Sequence, residues 1–70
     1  MKPFNEQIKE ARGTKDLTQS QLAELSGVTL RQIQHIEAAK RFPAYKTLLL
    51  ICQALNISIT IEPGHPDLKG

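Results

Sequence analysis

The stretch of sequence that decides the fold is residues 17–37, which read LTQSQLAELSGVTLRQIQHIE. Its first half contains a capping pattern. The Thr18 hydroxyl can accept a hydrogen bond from the backbone N–H of Gln21, and the Gln21 side chain can reach back to the N–H of Thr18. Leu17 and Leu22 stand where a hydrophobic staple requires apolar residues. The pattern predicts that a helix begins immediately after Thr18.

The second half of the stretch repeats this pattern. Thr29 and Gln32 form the second capping pair, and Val28 and Ile33 form the second staple. Gly27 lies between the two patterns and can adopt the left-handed conformation that ends a helix. Two short helices joined by a tight turn that contains glycine form a helix-turn-helix arrangement.

The apolar residues predict which face of each short helix is buried. In the first helix the expected buried residues are Leu22, Ala23 and Leu25. In the second, Ile33 and Ile36 are three residues apart and give only a narrow buried face. The remaining side chains of the second helix are therefore available for binding, and they are Leu30, Arg31, Gln32, Gln34 and His35.

A further helix is predicted on each side of this unit. Apolar residues at helical spacing predict one from about Phe4 to Arg12, ending at Gly13. A longer one is predicted from about Tyr45 to Leu55, after the Arg41–Pro43 segment. Its expected core face consists of Leu48, Leu49, Cys52 and Leu55, with Leu50 partly exposed.

The period of the apolar residues changes to two after Asn56. Ile57, Ile59 and Ile61 alternate with polar residues, which predicts a short strand. Because no other segment reads as a strand, we expect it to pair with the same strand of a second copy. The predicted fold is all-α: a compact four-helix domain at 1–56, a dimerisation strand at 57–62 and a loose tail at 63–70.

Length and composition set limits on this chain. Its 70 residues make one domain with a small core, and such domains often gain stability by pairing. The net charge of +2 is weakly basic. The single cysteine, Cys52, excludes an intramolecular disulfide and is expected to be a small buried hydrophobe. The sequence has no apolar run long enough to cross a bilayer and no signal-peptide pattern near residue 1, so a cytoplasmic location is expected.

Catalytic and metal-binding patterns are absent from the sequence. The two histidines, His35 and His65, are far apart, and the carboxylates lack metal-ligand spacing. There is no glycine-rich phosphate loop and no nucleophile beside a base. We therefore expect a protein that is not an enzyme and that needs neither a cofactor nor a metal.

Residues 4–55 resemble the Cro/repressor-like helix-turn-helix family, which includes phage repressors, Xre-type regulators and antitoxins. The matching residues are Ile8, Arg12, Leu17-Thr18-Gln19, Leu22-Ala23, Gly27-Val28, Ile33, Ile36-Glu37, Lys40, Pro43, Leu48 and Ala54-Leu55. The resemblance implies four or five helices, of which the third reads the major groove of DNA. Where many members have a fifth helix, Ile57–Ile61 looks more like the strand of HipB-type antitoxins, which pairs across a dimer.

Two departures from the family pattern carry a cost. Ala38-Ala39 stands where the family usually has Asn-Gly, so a left-handed Ala39 would cost roughly 1 kcal/mol. Ala44 stands where serine is common, which removes an N-cap from the fourth helix. The resemblance also implies an ion pair between Arg12 and Glu37 that ties the first helix to the third, a structural role.

The third helix supplies the expected base contacts. Arg31 is the leading candidate, because its guanidinium can donate two hydrogen bonds to guanine; its alternatives are to bind a phosphate or to lie solvated on the helix surface. Gln32 and Gln34 can read adenine or hold phosphates, although Gln32 can instead be used in capping. Leu30 either contacts a thymine methyl group or lies at the edge of the core. His35 either faces the groove or is an ordinary surface histidine.

Other residues are expected to bind phosphates beside the groove. Gln19 offers both a helix N-terminus and a side-chain amide, and Thr29 offers its backbone N–H. Lys40, Arg41 and Lys46 are the cationic candidates, and a solvated basic surface is the alternative for each.

These observations predict a homodimeric repressor of transcription that binds double-stranded DNA at a palindromic operator. One alternative is an antitoxin that also binds a toxin protein and represses its own operon. A second alternative, from another functional class, is a protein-interaction adaptor that has kept the fold and lost DNA binding. No membrane contact is expected.

Overall fold

Four α-helices form the part of the chain that the structure describes, residues 2–58 of a computed structural model. They are α1 (Phe4–Thr14), α2 (Gln19–Ser26), α3 (Leu30–Glu37) and α4 (Tyr45–Leu55). This confirms the predicted number and order of helices. None of the helices within residues 2–58 is long and apolar enough to cross a membrane.

Both predicted capping boxes are present. The Thr18 hydroxyl accepts from the backbone N–H of Gln21 at 3.0 Å, and the Thr18 N–H donates to the Gln21 side chain at 2.8 Å. The corresponding distances between Thr29 and Gln32 are 3.2 and 3.3 Å. Gly27 has φ 77°, the left-handed conformation expected between the two helices. Local chemistry therefore fixes where α2 and α3 begin.

The core lies between the four helices. α2 packs against α3 and α4, and α1 packs against the same two helices. Each fully buried aliphatic side chain contributes about 1.5–3 kcal/mol through loss of its contact with water. The buried hydrophobic residues are Ile8, Leu22, Val28, Ile33, Ile36, Leu48, Ile51 and Leu55.

The predicted buried faces of α2 and α4 were wrong at two leucines. Leu25 is 61% exposed and Leu49 is 41% exposed, whereas Ile51 is fully buried. In α2 the core side is set by Leu22 and the residue four positions later, Ser26, and Leu25 lies to one side of that line. In α4 the buried line runs from Leu48 through Ile51 to Leu55, so Leu49 is turned about a quarter of a circle away.

Two smaller predictions about α4 have mixed outcomes. Leu50 is partly buried and packs against the core, so it is partly exposed as predicted. Cys52 is also only partly buried and packs at the edge of the core, which corrects the expectation that it lies fully inside.

The end of α1 also differs from the prediction. The helix continues through Gly13 to Thr14, and the residue that adopts the left-handed conformation is Asp16, at φ 55°. The N–H of Leu17 then bonds to the carbonyl of Arg12 at 3.1 Å. Aspartate tolerates this conformation better than most residues, so no glycine is needed for the helix to end.

The segment after α3 places Ala39 in the left-handed conformation, which is unfavourable for alanine. Ala39 has φ 58°, and the N–H of Lys40 bonds to the carbonyl of His35 at 3.0 Å in a Schellman motif. The chain then passes Phe42, whose ring meets that of Phe4 edge-on with centroids 4.8 Å apart. Ala44 begins α4 without a side-chain cap, as predicted.

The predicted dimerisation strand lies mostly outside the described residues. Ile57 and Ser58 have no regular secondary structure, and Asn56 before them is left-handed with φ 55°. Ile59 and Ile61, as well as the predicted tail at 63–70, fall outside the described part, so pairing through this segment stays a prediction.

Candidate nucleic-acid interface

α3 presents a polar face to solvent, because its inner face is occupied by Ile33, Ile36 and Glu37 alone. Arg31, Gln32 and Gln34 are exposed, His35 is half-buried, and Leu30 is 38% exposed. Leu30 is the first residue of the helix, so a large apolar side chain stands in water at the end of α3 where base contacts are expected. The five predicted base-contacting residues thus lie on one helix, with their side chains at least partly accessible.

The exposed charges of residues 30–58, which contain α3 and α4, have one sign. Glu37 carries the only carboxylate in residues 30–58, and Glu37 is 2% exposed. The charged side chains that this range does expose are basic: Arg31, Lys40, Arg41 and Lys46. This part of the surface therefore attracts a polyanion without an opposing carboxylate, although the chain as a whole carries a net charge of only +2.

A cleft of about 500 Å³ separates α3 from the beginning of α4. Arg31, Gln32 and His35 line one side, and Arg41 lies on the other. Thr29, Ile36, Phe42, Pro43, Ala44 and Thr47 complete its walls. The first N–H groups of α4 also lack a side-chain acceptor, because Ala44 cannot cap them. The cleft thus combines apolar walls with hydrogen-bond donors and the two cations Arg31 and Arg41, and these donors suit a phosphate oxygen.

The buried carboxylate of Glu37 is held by two side chains from other helices. Arg12 donates to it from Nε at 2.8 Å and from Nη2 at 3.0 Å, and its third nitrogen donates to the carbonyl of Leu17 at 2.8 Å. The Glu37 side chain is 1% exposed and that of Arg12 is 21% exposed. The hydrogen bonds that Arg12 donates to Glu37 raise the pKa of Arg12 above its ordinary value, against a smaller effect of burial.

Gln19 is the second donor to Glu37, with its Nε2 atom 3.1 Å from the carboxylate. The sequence placed Gln19 at a phosphate only and did not reveal this contact. Asn5 of α1 also donates to the backbone carbonyl of Glu37, at 3.4 Å. The network connects the first residue of α2 to the last residue of α3, so the two helices that would face DNA are fixed to each other and to α1.

Capping and binding compete for the side chain of Gln32. Its carbonyl oxygen accepts from the backbone N–H of Thr29 at 3.3 Å and lies 3.2 Å from the Thr29 hydroxyl. The sequence left open whether Gln32 caps the helix or binds DNA. The structure shows that it caps, through its oxygen, and that the residue also lines the cleft.

Comparison with known families identifies the domain. A model of the helix-turn-helix family matches residues 8–61. This chain belongs to that family. The match covers α2 and α3 with their capping boxes, the buried Glu37 and the cleft, and it extends beyond α4.

Two curated relatives are similar to this domain. One is an uncharacterized HTH-type transcriptional regulator, YqaE, from Bacillus subtilis, 38% identical over 56 residues, which are 80% of this chain and 48% of the relative. The other is the control protein C.SmaI from Serratia marcescens, 35% identical over 54 residues, 77% of this chain and 64% of the relative. The matched part of the chain thus spans about half to two thirds of the length of these relatives.

Proposed function

We propose that this protein is a DNA-binding regulator of transcription that acts as a homodimeric repressor on a palindromic operator. The observation that carries the proposal is the surface around α3: a polar helix face, a cleft lined by donors, and no exposed carboxylate in residues 30–58. A helix fits the major groove, and clustered cations beside it suit the phosphates that border the groove. Membership of the helix-turn-helix family and the regulator named among its relatives support the same function.

Base contacts are assigned to the exposed residues of α3. Arg31 is exposed and can donate in parallel to O6 and N7 of guanine, which would discriminate against other bases by about 1–3 kcal/mol. Leu30 and Gln34 lie on accessible positions of the same helix, where Leu30 suits a thymine methyl group. His35 lies at the wall of the cleft, on the side of α3 that faces α4.

Phosphate contacts are assigned to the elements beside α3. Lys40, Arg41 and Lys46 are exposed in the segment that runs from the end of α3 into α4. On the other side, the N-termini of α2 and α3 offer backbone N–H groups near Gln19 and Thr29. Contacts on both sides would hold α3 in register while its side chains read the bases.

Dimerisation is supported by apolar surface from the middle of α4 to the residues just after it. Leu49 of α4 is 41% exposed, and half-buried Ile57 follows the helix. A second open cavity of about 280 Å³ is lined there by Leu49, Cys52 and Ile57, among others. We propose that residues 57–61 pair across a two-fold axis at this end. Two copies of α3 would then enter successive major grooves about 34 Å apart.

Selection from random duplexes tests DNA reading. The wild type should recover a two-fold symmetric motif, and Arg31→Ala should lose the preference at one base pair of each half-site. Lys15→Ala is the matched control, because it removes one exposed positive charge from the turn between α1 and α2. Recovery of no motif at either of two salt concentrations would refute the proposal.

The dimer has its own test. Ile59→Lys should give a monomer at micromolar concentration and bind the selected operator much more weakly, because a charge would replace an apolar side chain in the proposed pairing. Analytical ultracentrifugation measures the first effect and gel shift the second. A variant that stays dimeric would show that residues 57–61 do not hold the two copies together.

A further inference from the structure

The side-chain amide of Gln32 uses its oxygen in the capping box, and its NH₂ group remains available to a ligand. The carbonyl oxygen of an amide side chain has two lone pairs, and here the backbone N–H and the hydroxyl of Thr29 approach it at 3.3 and 3.2 Å. The hydroxyl of Thr29 also accepts from the backbone N–H of Gln32 at 3.2 Å, which leaves its own hydrogen for the Gln32 oxygen. The part of Gln32 that remains for a ligand is its NH₂ group, which only donates.

We propose that Gln32 contacts DNA as a hydrogen-bond donor alone, so that it binds only acceptor atoms and does not select adenine. The inference rests on the proposed function, in which α3 lies in the major groove. Glutamine reads adenine by accepting from N6 while donating to N7, and that needs the oxygen already used by Thr29. A side chain that only donates instead matches O6 or N7 of guanine, O4 of thymine, or a phosphate oxygen; it can also reach N7 of adenine, but it gains nothing from N6 and so does not select adenine over guanine.

The surroundings of Gln32 favour the same class of ligand. The side chain is exposed and lines the cleft together with Arg31, His35 and Arg41. Two of these three are cationic donors, which favours a ligand atom that accepts hydrogen bonds. The capping box thus sets both the direction of α3 and the kind of atom that the third residue of α3 can bind.

One substitution separates capping from donation. In Gln32→Glu the carboxylate can still accept from the N–H of Thr29, since glutamate is as good a capping-box residue at this position as glutamine. It cannot donate, and it places a negative charge in the cleft. Gln21→Glu is the matched control, because Gln21 has the same place in the capping box of α2. Thermal unfolding should show that both variants fold as the wild type does.

Affinity and selected motif are then measured for the wild type and both variants. We expect Gln32→Glu to weaken binding to the wild-type operator about tenfold or more, because a carboxylate replaces a donor opposite an acceptor atom. We expect Gln21→Glu to stay within about threefold, since an added exposed charge is screened at physiological salt.

The selected motifs distinguish the two sources of the acceptor. If Gln32 meets a base, the wild type selects guanine or thymine at one position, and Gln32→Glu changes that preference towards cytosine, whose N4 donates. If Gln32 meets a phosphate, Gln32→Glu weakens all sequences equally and the motif does not change. Either result supports the inference.

Other results would overturn it. Selection of adenine at the position that Gln32→Glu changes would show that Gln32 is not limited to donation. Wild-type affinity of Gln32→Glu would show that Gln32 does not donate to DNA. In both cases the proposed function still stands. A wild-type protein that binds no duplex would remove the proposed function and this inference together.

Discussion

Arg12→Met should remove most of the stability of the domain, because it leaves the Glu37 carboxylate in the core without its cation. The variant loses two hydrogen bonds to Glu37 and one to the carbonyl of Leu17. Only Gln19 still donates to the carboxylate, whose side chain is 1% exposed. Removing one partner of a buried ion pair costs about 3–5 kcal/mol, and we expect about 3 here because Arg12 is partly exposed.

A substitution of the other partner, Glu37→Gln, should lower the free energy of unfolding by less. In Glu37→Gln the amide oxygen still accepts one of the two hydrogen bonds from Arg12, whereas the NH₂ group in place of the other oxygen cannot accept. We therefore expect a loss of about 1.5–2 kcal/mol, the lower part of the range for one hydrogen bond to a charged group, because the guanidinium is 21% exposed and can gain water. The inequality between the two variants is the specific prediction, since an equal loss from both would follow if only their mutual attraction mattered.

Urea unfolding followed by circular dichroism measures these free energies. A domain of this size has only about 3–5 kcal/mol in total, so Arg12→Met should keep only about 0–2 kcal/mol and be partly unfolded without denaturant. Arg31→Met is the matched control: it makes the same substitution on the exposed face of α3, and its stability should change by less than about 0.5 kcal/mol. If Arg12→Met cost under about 1 kcal/mol, or less than Glu37→Gln, the argument from the buried carboxylate would be wrong.

Three further predictions use the same unfolding measurement. Ala39→Gly should stabilise the domain by about 1 kcal/mol, because φ is 58° there; no gain would mean that this conformation is not strained. Gly27→Ala should destabilise it by a similar amount, about 1 kcal/mol, because φ is 77° and a Cβ there meets no neighbour that could add a packing effect. Leu22→Ala should cost about 2–5 kcal/mol and Leu25→Ala less than about 0.5, a contrast that equal losses would contradict.

The parts of the fold that the sequence predicted correctly are those decided by neighbouring residues. Thr18 and Thr29 each find their partner three positions later, so both helix starts could be derived without knowledge of the packing. The left-handed Ala39 was anticipated from the family pattern, in which glycine is usual. Such interactions join residues that are close in sequence, so they depend little on the rest of the chain.

The errors concern choices that tertiary packing makes. The apolar run of α4 offers leucine or isoleucine at four consecutive positions, 48–51, so the periodicity does not decide which line faces the core. Contact with α1 and α2 turns Leu48 and Ile51 inward and leaves Leu49 at the surface. In α2 the short helix likewise buries Ser26 and not Leu25.

In the candidate site, too, features set by nearby residues were predicted and features set by tertiary packing were not. The exposed residues of α3 followed from its narrow apolar face, because whatever is not buried on so short a helix must be accessible. The contact between Gln19 and Glu37 joins residues 18 positions apart on different helices, and no spacing in the sequence indicated it. The cleft depends on how the segment after α3 returns towards α4, which also required the structure.

The aromatic contact between Phe4 and Phe42 matters for how the protein is produced. Phe42 forms part of the cleft wall, and the ring that supports it belongs to the first residue of α1, two positions after Lys2. An affinity tag fused directly to the amino terminus would therefore lie close to the surface under assay. A cleavable tag behind a flexible spacer should therefore be removed before any titration with DNA. The measured affinity then belongs to the protein without the tag.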